Sequence, residues 1–278
     1  MPDIDGSGPI DHHPPRFVAT ASEERILGKK IKAVTFDLWD TIVHDDSDEA
    51  KRKAQGLLSK YEARREEVWQ ALNRRSPTPR EDVVKAYDVC DAAFNKVWRE
   101  HFITWTIPER LKVLLTGMKR ELPQAEFDGV VERLGRMEVD IYPDLIADAQ
   151  KGLAELASRY KLAIVSDAIV TPGKNLRKLL ELHGVKQYFS GFAFSDEVGH
   201  SKPHRSMFDA AAKALGVEVT EMVHIGDRDH NDVKGPQALG MKAVLFTASR
   251  DSDKNKTSAE AICSSYRDLP ATIDRLNA

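Results

Sequence analysis

Short, nearly continuous apolar runs recur along the chain, once near residue 31 and again at intervals after residue 160. Amphipathic segments of helical period lie between the later runs. Buried strands that alternate with such helices are typical of a parallel sheet covered on both faces. We therefore predict a doubly wound α/β fold with five buried strands: IKAVTF (31–36), KLAIVS (161–166), GFAFS (191–195), MVHIG (222–226) and KAVLF (242–246).

One long stretch, from about residue 48 to about residue 140, interrupts the alternation because its pattern is helical throughout. Breaks within 76–79, at Pro108 and at Pro123 divide it into about four helices. Because it directly follows the first strand, we interpret it as a helical domain inserted into the α/β domain. The predicted organisation is a disordered tail (1–28), an α/β core (29–46 and 141–278, closing on a last strand and helix) and a helical cap (47–140).

Composition and charge exclude several classes of protein. A formal net charge of -3 provides no basic field for a nucleic-acid partner, and no apolar run is long enough to span a bilayer. The first residues lack the basic start and apolar middle of a signal peptide, so we expect a soluble cytoplasmic protein. Cys90 and Cys263 lack metal-ligand spacing, which predicts two core cysteines in a reducing compartment.

Polar side chains follow several of the predicted strands. In a parallel sheet of this type the functional site lies at the carboxyl ends of the strands. Four stretches place polar residues there or in the loops that follow: FDLWDT with Asp37 and Thr41, KLAIVSD with Ser166, GHSKP with Lys202, and GDRDHND with Asp227 and Asp232.

These residue types are suited to phosphoryl chemistry. Several carboxylates repel one another unless a cation shares their site, and a small set of hard oxygen ligands suits Mg²⁺. A magnesium site beside a lysine and a serine fits a dianionic phosphoryl group. Each residue also has an ordinary structural explanation, since Asp37 could cap the next segment, Ser166 could be a turn hydroxyl and Asp232 could begin a helix. Their common placement after buried strands favours a shared site.

In order and spacing, the four stretches resemble the four motifs of the haloacid dehalogenase-like superfamily of hydrolases, and the resemblance covers nearly all of residues 31 to 248. It implies a Rossmann-like core with a helical cap inserted after the first strand. It also implies that Asp37 is the nucleophile and forms an aspartyl-phosphate. Thr41 would orient the loop after the first strand, and Ser166 and Lys202 would hold the oxygens of the transferring group.

The resemblance implies Mg²⁺ as cofactor and a small anionic metabolite as substrate. The implied metal ligands are Asp37, the backbone carbonyl of Trp39, Asp227 and Asp232. The predicted substrate-binding residues are Ser166, Asp167, Lys202 and His44.

The first motif departs from the family's commonest pattern. Phosphatases of the family carry a second Asp two positions after the nucleophile, as general acid and base, and here that position is Trp39. Asp40 follows it and resembles a loop residue of the motif. Because general acid/base help contributes a factor of roughly 10² to 10⁴, its loss predicts a poor phosphomonoesterase.

Three interpretations of the function follow. The first is a Mg²⁺-dependent hydrolase whose leaving group needs little protonation, or whose acid comes from Asp40, His44 or a cap residue. The second is a metal-independent 2-haloacid dehalogenase-like hydrolase, a branch that also has an aromatic residue at the position of Trp39; the acidic pair Asp227 and Asp232 argues against it. The third is a weakly active module that binds a phosphorylated ligand or a partner.

Overall fold

The predicted strands form one parallel sheet in the computed structural model, which describes residues 30–278. The strands are β1 Ala33–Phe36, β2 Lys161–Ser166, β3 Gly191–Phe194, β4 Met222–Gly226, β5 Lys242–Phe246 and β6 Ala261–Cys263. Their order is β3-β2-β1-β4-β5-β6, and every neighbouring pair is parallel. The doubly wound α/β fold class is confirmed, and so are the five strands and the last strand. The predicted tail at 1–28 lies outside the described residues.

The central position of β1 decides where the polar residues meet. β2 and β4 are its two neighbours, so the chain leaves β1 on both sides and the strand order reverses there. Ligands of open α/β sheets bind outside the carboxyl ends of strands at such a point. Asp37, Asp167 and Asp227 each follow directly on one of these three strands.

Five helices, which we call the inserted helices, lie between β1 and the rest of the sheet: α1 Ser47–Ala54, α2 Lys60–Asn73, α3 Arg80–His101, α4 Ile107–Gly117 and α5 Gln124–Asp140. The predicted number, about four, was one too low. The missed break between α1 and α2 contains no proline: Gly56 turns the chain with a φ of +69°, and Ser59 begins α2 with a reciprocal cap to Glu62.

The remaining helices cover the sheet and carry the chain between strands: α6 Ala149–Ala157, α7 Gly173–Leu182, α8 Ser195–Val198, α9 Arg205–Leu215, α10 Gly235–Ala238 and α11 Leu269–Asn277. The largest apolar cluster lies on one face of the sheet and includes Phe36, Ile164 and Val244. The inserted helices pack around a cluster of their own, which includes Val68, Leu111 and Val130. Residues Ile31–Ala278 nevertheless form one compact unit, and a division into core and cap at residues 47 and 140 stays a prediction.

Two further expectations concern membrane-spanning segments and the cysteines. Within residues 30–278, none of the helices has the length and apolar character that crossing a bilayer requires. Cys90 and Cys263 are both buried and unpaired, Cys90 in the cluster of the inserted helices and Cys263 at the end of β6.

Candidate active site

A buried lysine lies between two carboxylates at the carboxyl ends of the central strands. The Nζ atom of Lys202 lies 2.8 Å from Oδ1 of Asp37 and 2.6 Å from Oδ1 of Asp232. The side chain is only 2% exposed. Burial alone would favour the neutral amine, but the surrounding carboxylates outweigh it and raise the pKa of Lys202. The ammonium is therefore a fixed positive charge beside Asp37.

Three carboxylates converge on the same point. Ligand oxygens of Asp37, Asp227 and Asp232 all lie within 4.8 Å of one another. Burial, together with the charges of Asp37 and Asp232, raises the pKa of Asp227 to about 8. Lys202 offsets the charge of Asp37 and Asp232, and Arg250 and Arg228 lie 3.4 Å and 3.8 Å from Oδ2 of Asp227. Three carboxylates this close together are also a set of hard oxygen ligands of the kind that Mg²⁺ prefers. The residues present therefore fit Mg²⁺.

Asp232 is held from several sides by the backbone and by neighbouring side chains. Residues Asp229–Lys234 wind as a π-helical turn, and Oδ2 of Asp232 accepts a hydrogen bond from the backbone N–H of Arg228 at 3.0 Å. A Cβ atom at Gly226 would lie 2.3 Å from Cγ of Asp232, so only glycine lets the carboxylate come this close to the end of β4. Burial opposes ionisation, yet Lys202 and His224 hold the pKa of Asp232 well below its usual range.

His224 contacts the carboxylate of Asp232 from within the sheet. It is fully buried on β4, with Nε2 3.2 Å from Oδ1 of Asp232 and Nδ1 2.8 Å from Oγ1 of Thr35. Burial lowers the pKa of His224, so the neutral imidazole is favoured, with its N–H directed to the carboxylate. The sequence pattern indicated only an apolar strand at this position.

Two predicted hydroxyl groups are buried without a hydrogen-bond partner. Ser166 ends β2 and is 0% exposed, and its Oγ makes no hydrogen bond; Oγ1 of Thr41, also 0% exposed, has none either. A buried hydroxyl without a hydrogen-bond partner lowers the stability of the fold. Such a group is therefore expected where binding or catalysis needs it. The backbone of Thr41 is fixed, because Tyr266 donates its hydroxyl to the carbonyl oxygen at 2.8 Å.

A cavity of about 440 Å³ opens above these groups, between the sheet and the inserted helices. Residues from the sheet side include Asp37, Trp39, Asp167, Lys202, Arg228 and Asn231. Residues from the inserted helices and their connections include Asp45, Asp46, Glu49, Lys60, Tyr61, Arg64, Trp98 and Glu138. Asp167 is also tied to the lysine loop, since its Oδ1 accepts the backbone N–H of Lys202 at 2.9 Å. Burial raises the pKa of Asp167 to about 7.

Two candidates for the missing general acid, Asp40 and His44, both contact the hydroxyl of Ser249. Asp40 has a φ of +51°, and its Oδ1 accepts hydrogen bonds from Oγ of Ser249 at 2.5 Å and from the N–H of Asp45 at 3.2 Å. Nδ1 of His44 lies 2.9 Å from the same Ser249 hydroxyl, beside a different depression that His44 lines with Arg267 and Asp268. The structure does not bring His44 together with the other predicted substrate-binding residues.

The cavity wall contains a charged cluster that the sequence motifs did not predict. The ammonium of Lys60, 5% exposed, lies 2.9 Å from carboxylate oxygens of Asp46, Asp48 and Glu138. Glu138 also accepts a hydrogen bond from Thr171 in the loop after β2, which connects the inserted helices to the sheet. A signal existed in the sequence: Lys60 falls on the same helical stripe as buried Val68, Ala71 and Leu72.

Comparison with known proteins identifies the family of the chain. A model of the haloacid dehalogenase-like hydrolases matches residues 31–240. The chain belongs to the haloacid dehalogenase-like hydrolase family. The resemblance drawn from the four motifs is thereby confirmed.

Curated relatives of this haloacid dehalogenase-like hydrolase include several phosphatases. The glyceraldehyde 3-phosphate phosphatase of Methanothermobacter thermautotrophicus is 27% identical over 220 residues, 78% of this chain and 86% of that protein. The enzyme of the same name from Pyrococcus abyssi is 37% identical over 87 residues, 31% of this chain and 35% of that protein. The first curated relatives are matched over only 35% to 46% of their own length.

Solved structures support the fold of the family. A HAD phosphatase from Thermococcus onnurineus superimposes with a TM-score of 0.57 at 22% identity, covering 87% of this chain and 98% of that one. A 2-haloacid dehalogenase from Pseudomonas syringae pv. tomato gives a TM-score of 0.59 at 19% identity, covering 88% and 99%. Both likenesses concern the fold alone.

Proposed function

We propose that the protein is a Mg²⁺-dependent phosphatase-type hydrolase that acts on a small phosphorylated metabolite, with Asp37 as the nucleophile. The observation that carries the proposal is the placement of Lys202 between Asp37 and Asp232, with Asp227 alongside, where Asp37 and Lys202 line the cavity. Curated relatives named as phosphatases support the same class of reaction. The cavity volume of about 440 Å³ lies within the roughly 300–1,000 Å³ that is typical of small-molecule sites.

The reaction proceeds in two displacements. A carboxylate oxygen of Asp37 attacks phosphorus and the bond from phosphorus to the leaving oxygen breaks, so that the leaving group departs as an anion or takes up a proton from water. Water then attacks phosphorus of the aspartyl-phosphate, which releases inorganic phosphate and regenerates the carboxylate. The ammonium of Lys202 and the hydroxyl of Ser166 stabilise the transferring oxygens.

The metal ligands would be Asp37, Asp227, Asp232 and the backbone carbonyl of Trp39. When bound, Mg²⁺ would offset the repulsion among these carboxylates and stabilise charge on the transferring group. A simple measurement tests this part without turnover: Mg²⁺ should raise the melting temperature of the wild type, because a ligand that binds only the folded state stabilises it. In Asp227→Asn the increase should disappear, and an equal increase in both proteins would contradict the ligand assignment.

Trp39 limits the substrates that react quickly. An indole offers no carboxyl proton to the leaving oxygen, so leaving groups that are stable as anions are favoured. Acyl and aryl phosphates belong to this class, and alkyl phosphates should react slowly.

The aromatic residue at position 39 also favours a second candidate, a metal-independent 2-haloacid dehalogenase-like hydrolase. Such an enzyme attacks carbon and has no need of the acidic pair Asp227 and Asp232. The close packing of these two carboxylates with Asp37 therefore favours the phosphatase.

A substrate screen decides between the candidates. Alkyl, aryl and acyl phosphates, phosphonates and 2-haloacids are tested with and without Mg²⁺, and Asp37→Asn serves as the blank. The proposal expects turnover of phosphate compounds only with the metal and none in the blank. Turnover of haloacids without metal would establish the dehalogenase. Binding of phosphate with no reaction that depends on Asp37 would instead support a binding module of low activity.

A further inference from the structure

The loop before Lys202 pairs with the segment that follows α3. The backbone N–H of Ser201 donates to the carbonyl of Phe102 at 2.7 Å, and the N–H of Thr104 donates to the carbonyl of Gly199 at 3.3 Å. Ile103 and His200 form an antiparallel bridge between these two bonds. Residues 102–104 and 199–201 thus form a short two-stranded ladder. It links the inserted helices directly to the loop that carries the lysine.

The entry into this ladder is strained. Phe102 adopts a left-handed conformation, with a φ of +55°, where α3 ends. For a residue with a side chain this conformation costs roughly 1–2 kcal/mol, so it persists only where surrounding contacts compensate. The ladder and the side chains around Ser201 provide those contacts.

Ser201 is the centre of a buried hydrogen-bond network. Its side chain is 0% exposed, and its Oγ accepts the indole N–H of Trp98 at 2.7 Å. Oγ1 of Thr104 lies 2.6 Å from the same Ser201 oxygen, and one of the two hydroxyls donates to the other. A satisfied network centred on the buried hydroxyls of Ser201 and Thr104 holds its members in one arrangement.

Trp98 belongs both to this network and to the cavity. Its ring lines the cavity together with Asp37 and Trp39, and it stacks on Phe94 at a centroid distance of 6.5 Å. A single side chain on α3 therefore touches the space for the substrate and the residue next to Lys202.

Hydrogen bonds to Lys202 and to the residue before it determine where Lys202 lies. Its backbone N–H is fixed by Asp167, and the preceding residue is fixed by Trp98 and Thr104. The ammonium lies 2.8 Å and 2.6 Å from its two carboxylate partners, so a small shift of the backbone would lengthen both contacts. Misplacement of a charged group by about 1 Å is enough to slow a reaction substantially.

We propose that Trp98 is a positioning residue: through Ser201, with Thr104, it sets the place of Lys202, and its ring forms a wall of the substrate cavity. The inference rests on the proposed function, in which Lys202 stabilises the transferring phosphoryl group. Because Trp98 is on an inserted helix, the charge at the reaction centre is correctly placed only when these helices are docked on the sheet.

Two substitutions test the role of the hydrogen bonds. Trp98→Phe keeps an aromatic wall and removes the N–H, and Thr104→Val removes a hydroxyl with little change of shape. Each should lower kcat about fivefold to tenfold, as expected for one buried hydrogen bond, while KM changes less than about twofold. Trp105→Phe is the matched control, because Trp105 also packs on Phe94, at 6.0 Å, but is not among the described residues that line the cavity. A change confined to KM would mean that Trp98 is only a wall and would overturn the positioning role.

A double-mutant cycle tests whether the effect passes through Lys202. In a Lys202→Gln background, Trp98→Phe should cause less than about a twofold further loss of kcat. An undiminished loss would overturn the proposal. Lys202→Met, which also removes the charge, replaces the background if Lys202→Gln does not fold.

The wild type, Trp98→Phe, Lys202→Gln and the double variant are also compared by urea unfolding without ligand. The effect of the double substitution on the folding equilibrium constant should differ by at least about twofold from the product of the two single effects. This comparison needs no substrate. A failure of the proposed function would appear as absent turnover with the coupling intact, and additive unfolding effects would overturn the coupling itself.

Discussion

The indole Nε1 of Trp39 donates a hydrogen bond to the backbone carbonyl of Asp167 at 3.3 Å. This contact ties the loop after β1 to the end of β2 and holds the indole in the cavity wall. The ring also packs against the apolar cluster of the sheet. Trp39 is thus a structural part of the site, at the position where the motif resemblance implies a second aspartate in phosphatases.

Restoring that aspartate should accelerate phosphate-ester hydrolysis. Trp39→Asp should increase kcat for alkyl phosphates at least about tenfold, because a general acid contributes roughly 10² to 10⁴ and part of this is lost to imperfect placement. The gain should be smaller for aryl phosphates with acidic leaving groups, which is measured across a series of graded leaving-group pKa. Trp39→Asn controls for the lost ring and should show no gain. If a folded, Mg²⁺-binding Trp39→Asp protein gains nothing, the missing acid does not limit turnover.

The unpartnered hydroxyl of Ser166 should favour activity at the expense of stability. Ser166→Ala should leave the free energy of unfolding unchanged or raise it by up to about 1 kcal/mol, since it removes an unsatisfied buried group. It should also lower kcat by about 10² if the hydroxyl stabilises the transition state.

Ser195 provides the matched control. It is equally buried, but its Oγ accepts the backbone N–H of Ala168 at 2.8 Å, so Ser195→Ala should lower stability by about 1–3 kcal/mol. Denaturant unfolding measures both variants, and an equal loss of stability in the two would contradict the assignment.

Removal of the Lys60 ammonium should be strongly destabilising. Asp48 and Glu138 are buried and would lose their closest counter-ion, with only Arg64, 4.0 Å from Glu138, remaining, so Lys60→Met should cost about 3–5 kcal/mol. Lys53→Met, an exposed substitution on the neighbouring helix, should stay within about 0.5 kcal/mol. Urea unfolding distinguishes the two. Similar small effects would mean that the cluster rearranges without cost.

The acidic connection between β1 and α1 should make stability depend on pH. Partial desolvation at the cavity wall and the neighbouring charge of Asp46 raise the pKa of Asp45 from 3.8 to about 6, although the residue is exposed. A raised folded-state pKa means that ionisation of Asp45 costs stability as pH increases between about 4 and 6. Asp45→Asn should therefore be more stable than the wild type at pH 8, by less than about 1 kcal/mol because the side chain keeps contact with solvent. The difference should vanish near pH 4, and a difference independent of pH would contradict this origin.

The amino-acid sequence by itself determined the sheet and the composition of its carboxyl edge. The buried strands are short apolar runs, and the order of a doubly wound sheet brings the residues after β1, β2 and β4 to one point. Asp37, Ser166 and Asp227 could therefore be predicted as neighbours from local pattern and topology alone. Their roles in catalysis stay predictions until the substitutions are measured.

Only the tertiary structure decided what surrounds that point. Lys60 and Glu138 are 78 residues apart, and Trp98 and Ser201 are 103 apart, yet each pair is hydrogen-bonded. His44, which is close to the first motif in sequence, contacts Ser249 outside the cavity instead. Local periodicity determines which face of a helix is buried, but the partner of a buried charge or indole depends on how two separately packed layers dock. The physical reason is that a buried polar group must be satisfied by whichever group the docking brings within about 3 Å.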